Sequence, residues 1–293
     1  MNNLLAIRPS SPNYPRKLRE LTDAPEKLYI KTSTGQWEDL INRPAVAVIG
    51  SRKLTNYGLG VTEKLVAKLV ARGIVIVSGL ALGIDAVAHK TAVECGGQTI
   101  AVLPSGVNHI YPGSHAGLAN RILQTGGALA SEYSPDEKVA FKSNFIARNR
   151  IIAGLADALL IPEAAKKSGS LHTANFGLDL GKDIFAVPGP INSPASEGCN
   201  NLIKAGAIMV TDVSDILQAL HINSNNSHSN PVEIIASTQE EQIIINLIIS
   251  GITDADELLQ KSNLAVQEFN TSLSMLEISG YIKPLGGNNW TLQ

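Results

Sequence analysis

Short aliphatic runs alternate with longer amphipathic stretches from Ala45 onward. Ala45–Ile49, Ile74–Val77, Thr99–Leu103, Ala158–Ile161, Ile184–Val187 and Ile208–Val210 are brief and rich in β-branched residues, which predicts strands covered on both faces. Between them, Leu59–Ala71, Ala86–Glu94, Ser114–Gln124, Asn149–Leu155, Leu171–Leu180 and Asn200–Lys204 carry helical patterns. Gly73 and Gly181 stand where helix C-termini are expected. The alternation predicts an α/β fold over residues 44–220: a Rossmann-like, mainly parallel sheet with helices on both faces.

The flanks read differently. Residues 1–43 form a short mixed extension, punctuated by Tyr14-Pro15 and Ala24-Pro25, whose Leu18, Leu21, Leu28 and Tyr29 are expected to pack on the main domain. Residues 221–232 hold a polar, low-complexity stretch with nothing to bury, the usual character of a linker. Beyond it, Glu240–Ile249, Ala255–Lys261 and Val266–Gly280 predict three helices, and Tyr281–Leu292 a hairpin turning at Gly286-Gly287. Three helices and a hairpin predict a small winged helix over residues 233–293.

Composition narrows the class. At 44% hydrophobic and 17% charged residues, the chain is a folding, globular sequence and not a disordered one. No apolar run approaches a membrane span, and the opening Met1–Arg8 predicts no signal peptide, so a cytoplasmic location is expected. Cys95 and Cys199 share no metal or redox spacing and read as buried reduced thiols. The net charge of −2 hides a division: residues 1–222 hold 22 Lys+Arg against 18 Asp+Glu, residues 223–293 only 2 against 8. Anything that binds an anionic partner is therefore expected in the first part, as a local patch.

Candidate chemistry clusters in loops that leave strands, where an open α/β sheet binds its ligand. Gly50-Ser51-Arg52 follows the first strand, and backbone N–H groups there suit a phosphate. Lys142, Phe145, Arg148, Asn149 and Arg150 gather cations beside an aromatic ring that suits base stacking. Lys167, Ser168, Gly169 and Thr173 surround another helix start and suggest a second anion site. A blander reading stays open at this point: Phe145 in the core, and Arg150 paired internally with Asp157 or Glu163.

Enzymatic motifs are missing. The first strand is not followed by G-x-G-x-x-G, Gly181-Lys182 lacks the context of a Walker A loop, and the six histidines have no partners at metal spacing. Asp85 reads as a helix N-cap and His89 as a packed or capping residue. No catalytic residue, metal or cofactor is expected. The third helix of the winged unit carries Glu268 and Glu277 and no cation, which predicts a protein-contacting or regulatory module, not a duplex reader.

These blocks, together with Ser78–Asp85, Tyr111-Pro112, Ala186–Gly189 and Ser196–Ile203, are collinear over roughly 190 residues and resemble the DprA (Smf) family of DNA-processing proteins. The resemblance implies a homodimeric protein that binds single-stranded DNA and loads the RecA recombinase onto it during natural transformation. The chain departs from the family pattern at Pro104-Ser105, where glycine is usual, at Ile146, where proline is usual, and at Pro162, which interrupts an apolar run. The rival is a nucleotide-cleaving enzyme of the same broad superfamily, a phosphoribohydrolase. Such enzymes carry P-G-G-x-G-T-x-x-E at the loop where this chain has Lys167–Ala174, and the glutamate is missing.

Overall fold

Side chains that alternate in direction along short strands give the main unit hydrophobic cores on both faces of its sheet. A computed structural model describes residues 3–32, 37–138, 141–220, 238–249, 252–286 and 289–292. In β3 (Ala45–Val48), Ala45 and Ala47 face one core while Val46 and Val48 face the other. The same division splits Leu159 and Ile161 from Ala158 and Leu160 in β7 (Ala158–Ile161). Such strands must be covered on both sides. The helices that cover them are α2 (Asn56–Val70), α3 (Ile84–Glu94), α4 (Ala116–Gln124) and α8 (Val213–Ala219) on one face, with α5 (Lys142–Leu155), α6 (Ser170–Asp179) and α7 (Glu197–Lys204) on the other.

The remaining strands are β1 (Asn3–Ile7), β2 (Leu28–Thr32), β4 (Val75–Ser78), β5 (Thr99–Val102), β6 (Ala128–Ser131), β8 (Asp183–Ala186) and β9 (Ile208–Met209). Among the described residues nine strands form one sheet, in the order β1-β2-β6-β5-β4-β3-β7-β8-β9. From β6 to β9 every pairing is parallel; β1 and β2 join antiparallel at the β6 edge. The chain leaves β3 toward β4 and β5 on one side, then returns through α5 to β7 on the other. The loops after β3 and β7 therefore diverge at the topological switch point.

Several elements differ from expectation. The N-terminal extension is not merely packed on: it contributes β1, β2, a 3₁₀ turn (Arg16–Glu20) and α1 (Trp37–Asn42). Its Leu18 and Leu28 are fully buried, and Lys17 pairs with Asp157 at 2.7 Å. β6 escapes the pattern because Ala128–Ser131 has almost no β-branched content. α5 begins seven residues before the expected Asn149, since Lys142–Asn144 is polar and carries no apolar period. Cys95 is exposed at the end of α3, not buried; Cys199 is buried.

The second compact unit, Ser229–Gln293, packs α9 (Gln239–Ile249), α10 (Ala255–Ser262) and α11 (Val266–Ile278) with the hairpin of β10 (Ile282–Gly286) and β11 (Asn289–Leu292). Ile244, Ile248, Leu258, Phe269, Leu276 and Ile282 form its core. Asp254 caps α10, accepting from the N–H groups of Asp256 and Glu257. The expected linker, 221–232, and Gly287 of the expected turn lie outside the described residues. No helix among the described residues is long and apolar enough to cross a membrane.

One half-buried cation closes the α5 C-terminus. The Lys182 ammonium donates to the carbonyls of Ala153 (2.7 Å), Gly154 (3.0 Å) and Ala156 (2.5 Å). Burial, reinforced by Lys17 and opposed by Asp157 and Glu20, pulls it down to about 8. Because the folded value lies below the unfolded one, this group binds fewer protons when folded, and its contribution to stability rises with pH between about 8 and 10. Lys182→Met is expected to lose about 1–3 kcal/mol through unpaired carbonyls, and to remove that rise. Thermal melts from neutral pH to about 10, taken as the difference between wild type and variant, isolate it from other titrating groups; an unchanged difference across the range would sink the assignment.

Candidate nucleic-acid interface

The loop after β3 is held by the loop after β7. Ser51 donates its N–H to the Glu163 carbonyl at 2.8 Å, and the Ser51 hydroxyl donates to the Lys53 carbonyl at 2.7 Å. The buried Glu163 carboxylate accepts from the Thr55 N–H at 3.0 Å and from the Thr55 hydroxyl, while Thr55 caps α2 by accepting from the Gly58 N–H. One N–H of the α2 terminus, that of Gly58, is thus already capped by a protein group. Ser51 shapes this loop by its own hydrogen bonds, and the loop offers a ligand the side chains of Arg52 and Lys53, both exposed. Gly83 completes the corner at φ +82°, where an added Cβ would lie 2.1 Å from the Ser51 carbonyl oxygen.

The α6 terminus also bonds its own N–H groups, that of Leu171 to the Ser168 carbonyl and that of His172 to the Gly169 carbonyl, both at 3.2 Å. Its N-cap residue, Gly169, makes no side-chain cap, and Ser168 and Ser170 share a hydroxyl hydrogen bond at 2.7 Å. Lys166 pairs with Glu197 at 3.0 Å, whereas its neighbour Lys167 turns to the same cavity as Arg52.

That cavity, about 860 Å³, opens at the switch point. It is lined by Gly50, Ser51, Arg52, Lys142, Phe145, Arg148, Asn149, Lys167, Ser168, Gly169 and Thr173, so it brings together all but one of the expected site residues. Five of its lining side chains are cations (Arg52, Lys53, Lys142, Arg148 and Lys167), against the single carboxylate of Asp85. Arg52, Lys53, Lys142 and Lys167 make no ion pair with a described residue. A cationic cavity of this size on a chain of net charge −2 is a local basic patch that suits an anionic ligand.

Arg150 is the exception, and its placement corrects the expectation. It lies five residues beyond Phe145, about 140° around the helix, and faces away from the cavity. Both terminal nitrogens reach the Glu132 carboxylate, at 2.8 and 2.7 Å, and Nε lies 2.7 Å from the Asp23 carboxylate. Its partners are therefore Glu132 and Asp23, not Asp157 or Glu163.

Arg148 lines the cavity floor but spends its guanidinium inward. It is 3% exposed, and one terminal nitrogen donates to the carbonyls of Gly79, at 2.6 Å, and Val102. A Cβ on Gly79 would meet that nitrogen at 2.5 Å, so only glycine lets the cation approach. Burial pulls Arg148 down to about 10, with Asp85 opposing and Arg52 adding repulsion; it remains a cation at neutral pH. Asp85 is not the N-cap of α3, which is Gly83. Its carboxylate accepts from the Gly79 N–H at 3.1 Å, and burial raises its pKa while Arg148 opposes the rise. His89 is packed: its Nδ1 faces the Thr99 hydroxyl at 2.7 Å, and burial lowers it to about 3.

Phe145 is partly buried at the rim of the cavity, not within either core. The Arg52 guanidinium lies 5.4 Å from its ring centroid, and Tyr111 meets it edge-on at 5.3 Å. This gives a cation–aromatic–aromatic row along the rim. Tyr111 and Lys53 were not among the residues expected from sequence. Lys53 was legible as the neighbour of Arg52; Tyr111, 34 residues from Phe145, stood out only as part of the Tyr111-Pro112 block, with no signal that it meets Phe145.

Residues 6–221 match the family described as DNA recombination-mediator protein A, and residues 229–288 match the DprA winged helix domain. The chain is 39% identical to Protein Smf of Escherichia coli, over 94% of this chain and 74% of that protein. It is 43% identical to the DNA processing protein DprA of Streptococcus pneumoniae, over 70% of each. The solved structure of the S. pneumoniae protein aligns with a TM-score of 0.68 and 39% identity over 74% of each chain. A Helicobacter pylori structure, described by its single-stranded DNA binding mode, aligns with a TM-score of 0.66 and 33% identity, over 75% of this chain and 96% of that one. With the Rossmann-like sheet, the basic cavity at its switch point and both matched regions in order, the chain belongs to the DprA (Smf) family of DNA-processing proteins.

Proposed function

We propose that this protein binds single-stranded DNA in the switch-point cavity without turning it over, acts in the cytoplasm as a homodimer, and passes the strand to the RecA recombinase in recombination and natural transformation. The observation that carries the DNA part is the set of four cations around Phe145 that make no ion pair with a described residue. Phosphate oxygens compensate such a set, and the ring supplies a stacking face that any base can use. A single strand suits the cavity better than a duplex, whose bases are already stacked. Binding without turnover is supported by the state of Asp85, the cavity's one carboxylate, which is committed to Gly79 and Arg148. RecA transfer and dimerisation are supported by family membership.

Four phosphate-contacting cations predict a log–log salt slope of about −3 for single strands. Arg52→Ala is expected to make that slope shallower by about 0.7, while Phe145→Ala should cost about 1–3 kcal/mol at unchanged slope. Because Arg52 and Phe145 touch, the double variant should lose less than the sum of the two. Arg150→Ala should instead cost about 3–5 kcal/mol of stability by stranding Glu132, and leave the affinity of the folded protein intact. Fluorescence titrations at several salt concentrations, paired with thermal melts, read all four. Equal affinity for a blunt duplex, or binding indifferent to salt, would overturn the proposal.

Removal of residues 223–293 takes away a net charge of −6 and no cluster of cations. Single-strand affinity is expected to stay the same or rise slightly. A truncated protein that folds but loses DNA binding would place part of the interface in the winged helix.

A further inference from the structure

A second, smaller cavity of about 470 Å³ adjoins the first and shares Tyr111, Lys142 and Phe145 with it. The Tyr111–Phe145 pair is thus a wall with a pocket on either side. The far pocket adds Ser105, His109, Ile110, Lys138 and Phe141. Aromatic residues make up 4% of the chain, yet they are three of the eight residues that line this pocket, and none of the eight is acidic.

Phe141 is the informative residue. It stands immediately before α5 as its N-cap, with an extended backbone, and its carbonyl accepts from the Asn144 N–H at 3.2 Å. Asn144 in turn donates to the Pro104 carbonyl at 3.3 Å, so the backbone beneath the ring is anchored. The ring itself is 71% exposed. A lone exposed phenylalanine means little, but this one shares a pocket with Tyr111, 49% exposed, and with Lys138 and Lys142, neither ion-paired with a described residue. Exposed rings interleaved with free cations are what a stacked, phosphate-flanked base requires.

We infer that this pocket is a second nucleobase site, in which the same DNA strand crosses the Tyr111–Phe145 wall and stacks a further base against Phe141. The inference rests on the strand-binding reading of the first cavity and extends it in length. Lys142, shared by both pockets, sits at the crossing and neutralises the phosphate between the two bases. Lys138 takes the next phosphate outward. An apolar partner protein fits less well, because two lysines and His109 rim the pocket and would be stripped of water without a matching charge.

The test uses the full chain and a series of oligothymidylates from about two to twelve nucleotides, titrated by fluorescence anisotropy. The wild type should gain affinity in a step once a strand spans both pockets. Phe141→Ala should abolish that step, binding long strands about five- to a hundredfold more weakly and the shortest ones unchanged. Lys138→Ala should reduce the salt slope by about 0.7 on long strands only. Since Phe141 is mostly exposed, its removal should leave the melting temperature unchanged. Photocrosslinking of strands carrying 5-iododeoxyuridine at successive positions should join one outer position to Phe141 or Tyr111. If Phe141→Ala and Lys138→Ala match the wild type at every length while Phe145→Ala is weak at all of them, the second pocket is refuted and the first cavity stands. If Arg52→Ala and Phe145→Ala also bind like the wild type, the strand-binding reading itself fails. Unchanged strand binding accompanied by lost self-association in Phe141→Ala would assign the pocket to a second copy of the chain.

Discussion

The Arg148 guanidinium sits where β4 and β5 end, resting on the carbonyls of Gly79 and Val102 with the Asp85 carboxylate close by, and the loops around it are organised by the cost of burying it. A cation withdrawn from water to this extent carries a penalty of several kcal/mol unless it is paired and hydrogen-bonded. Here the compensation comes from two carbonyls, one carboxylate and a glycine without a Cβ in the way. Arg148 thereby ties α5 to the loops after two strands and leaves a positive floor beneath the cavity. The same arrangement explains why its neighbour Arg52 points outward: the two cations repel, and only the exposed one can relax into water or onto a phosphate.

Charge is therefore arranged in layers. The deepest cation, Arg148, is structural and biases the potential of the floor. Above it, Arg52, Lys53, Lys142 and Lys167 make no ion pair with a described residue. On the opposite side of α5, Arg150 is spent on Glu132 and Asp23, where it fastens the N-terminal segment to the helix. The switch-point topology makes this possible, because loops that diverge after β3 and β7 leave a crevice between them. Glu163 maintains that crevice from below, holding Thr55 while its backbone holds Ser51. None of these contacts needs a helix dipole at α2, whose first turn is already capped.

The unbroken apolar runs Ala45–Ile49 and Ala158–Ile161, with the helical patterns between, were enough to establish a parallel sheet covered on both faces, because burial on two sides demands apolar residues at every position. Charge counts alone set the basic part of the chain apart from the acidic one. The loops that would form the site were also legible, since strand ends carrying glycine and arginine occur where an α/β sheet binds. What the sequence by itself could not decide was direction. Arg148 and Arg150 are equivalent on paper, yet one faces the cavity floor and the other an ion pair, because the choice depends on Glu132, Asp23, Gly79 and Val102, which reach α5 only in the folded sheet. β6 was hidden for a related reason: Ala128–Ser131 has no strong strand propensity and is a strand because β5 and β2 flank it. The rim formed by Arg52, Phe145 and Tyr111 joins three segments, because only the tertiary fold brings Arg52 and Tyr111 each within about 6 Å of the Phe145 ring, the range over which rings and cations interact.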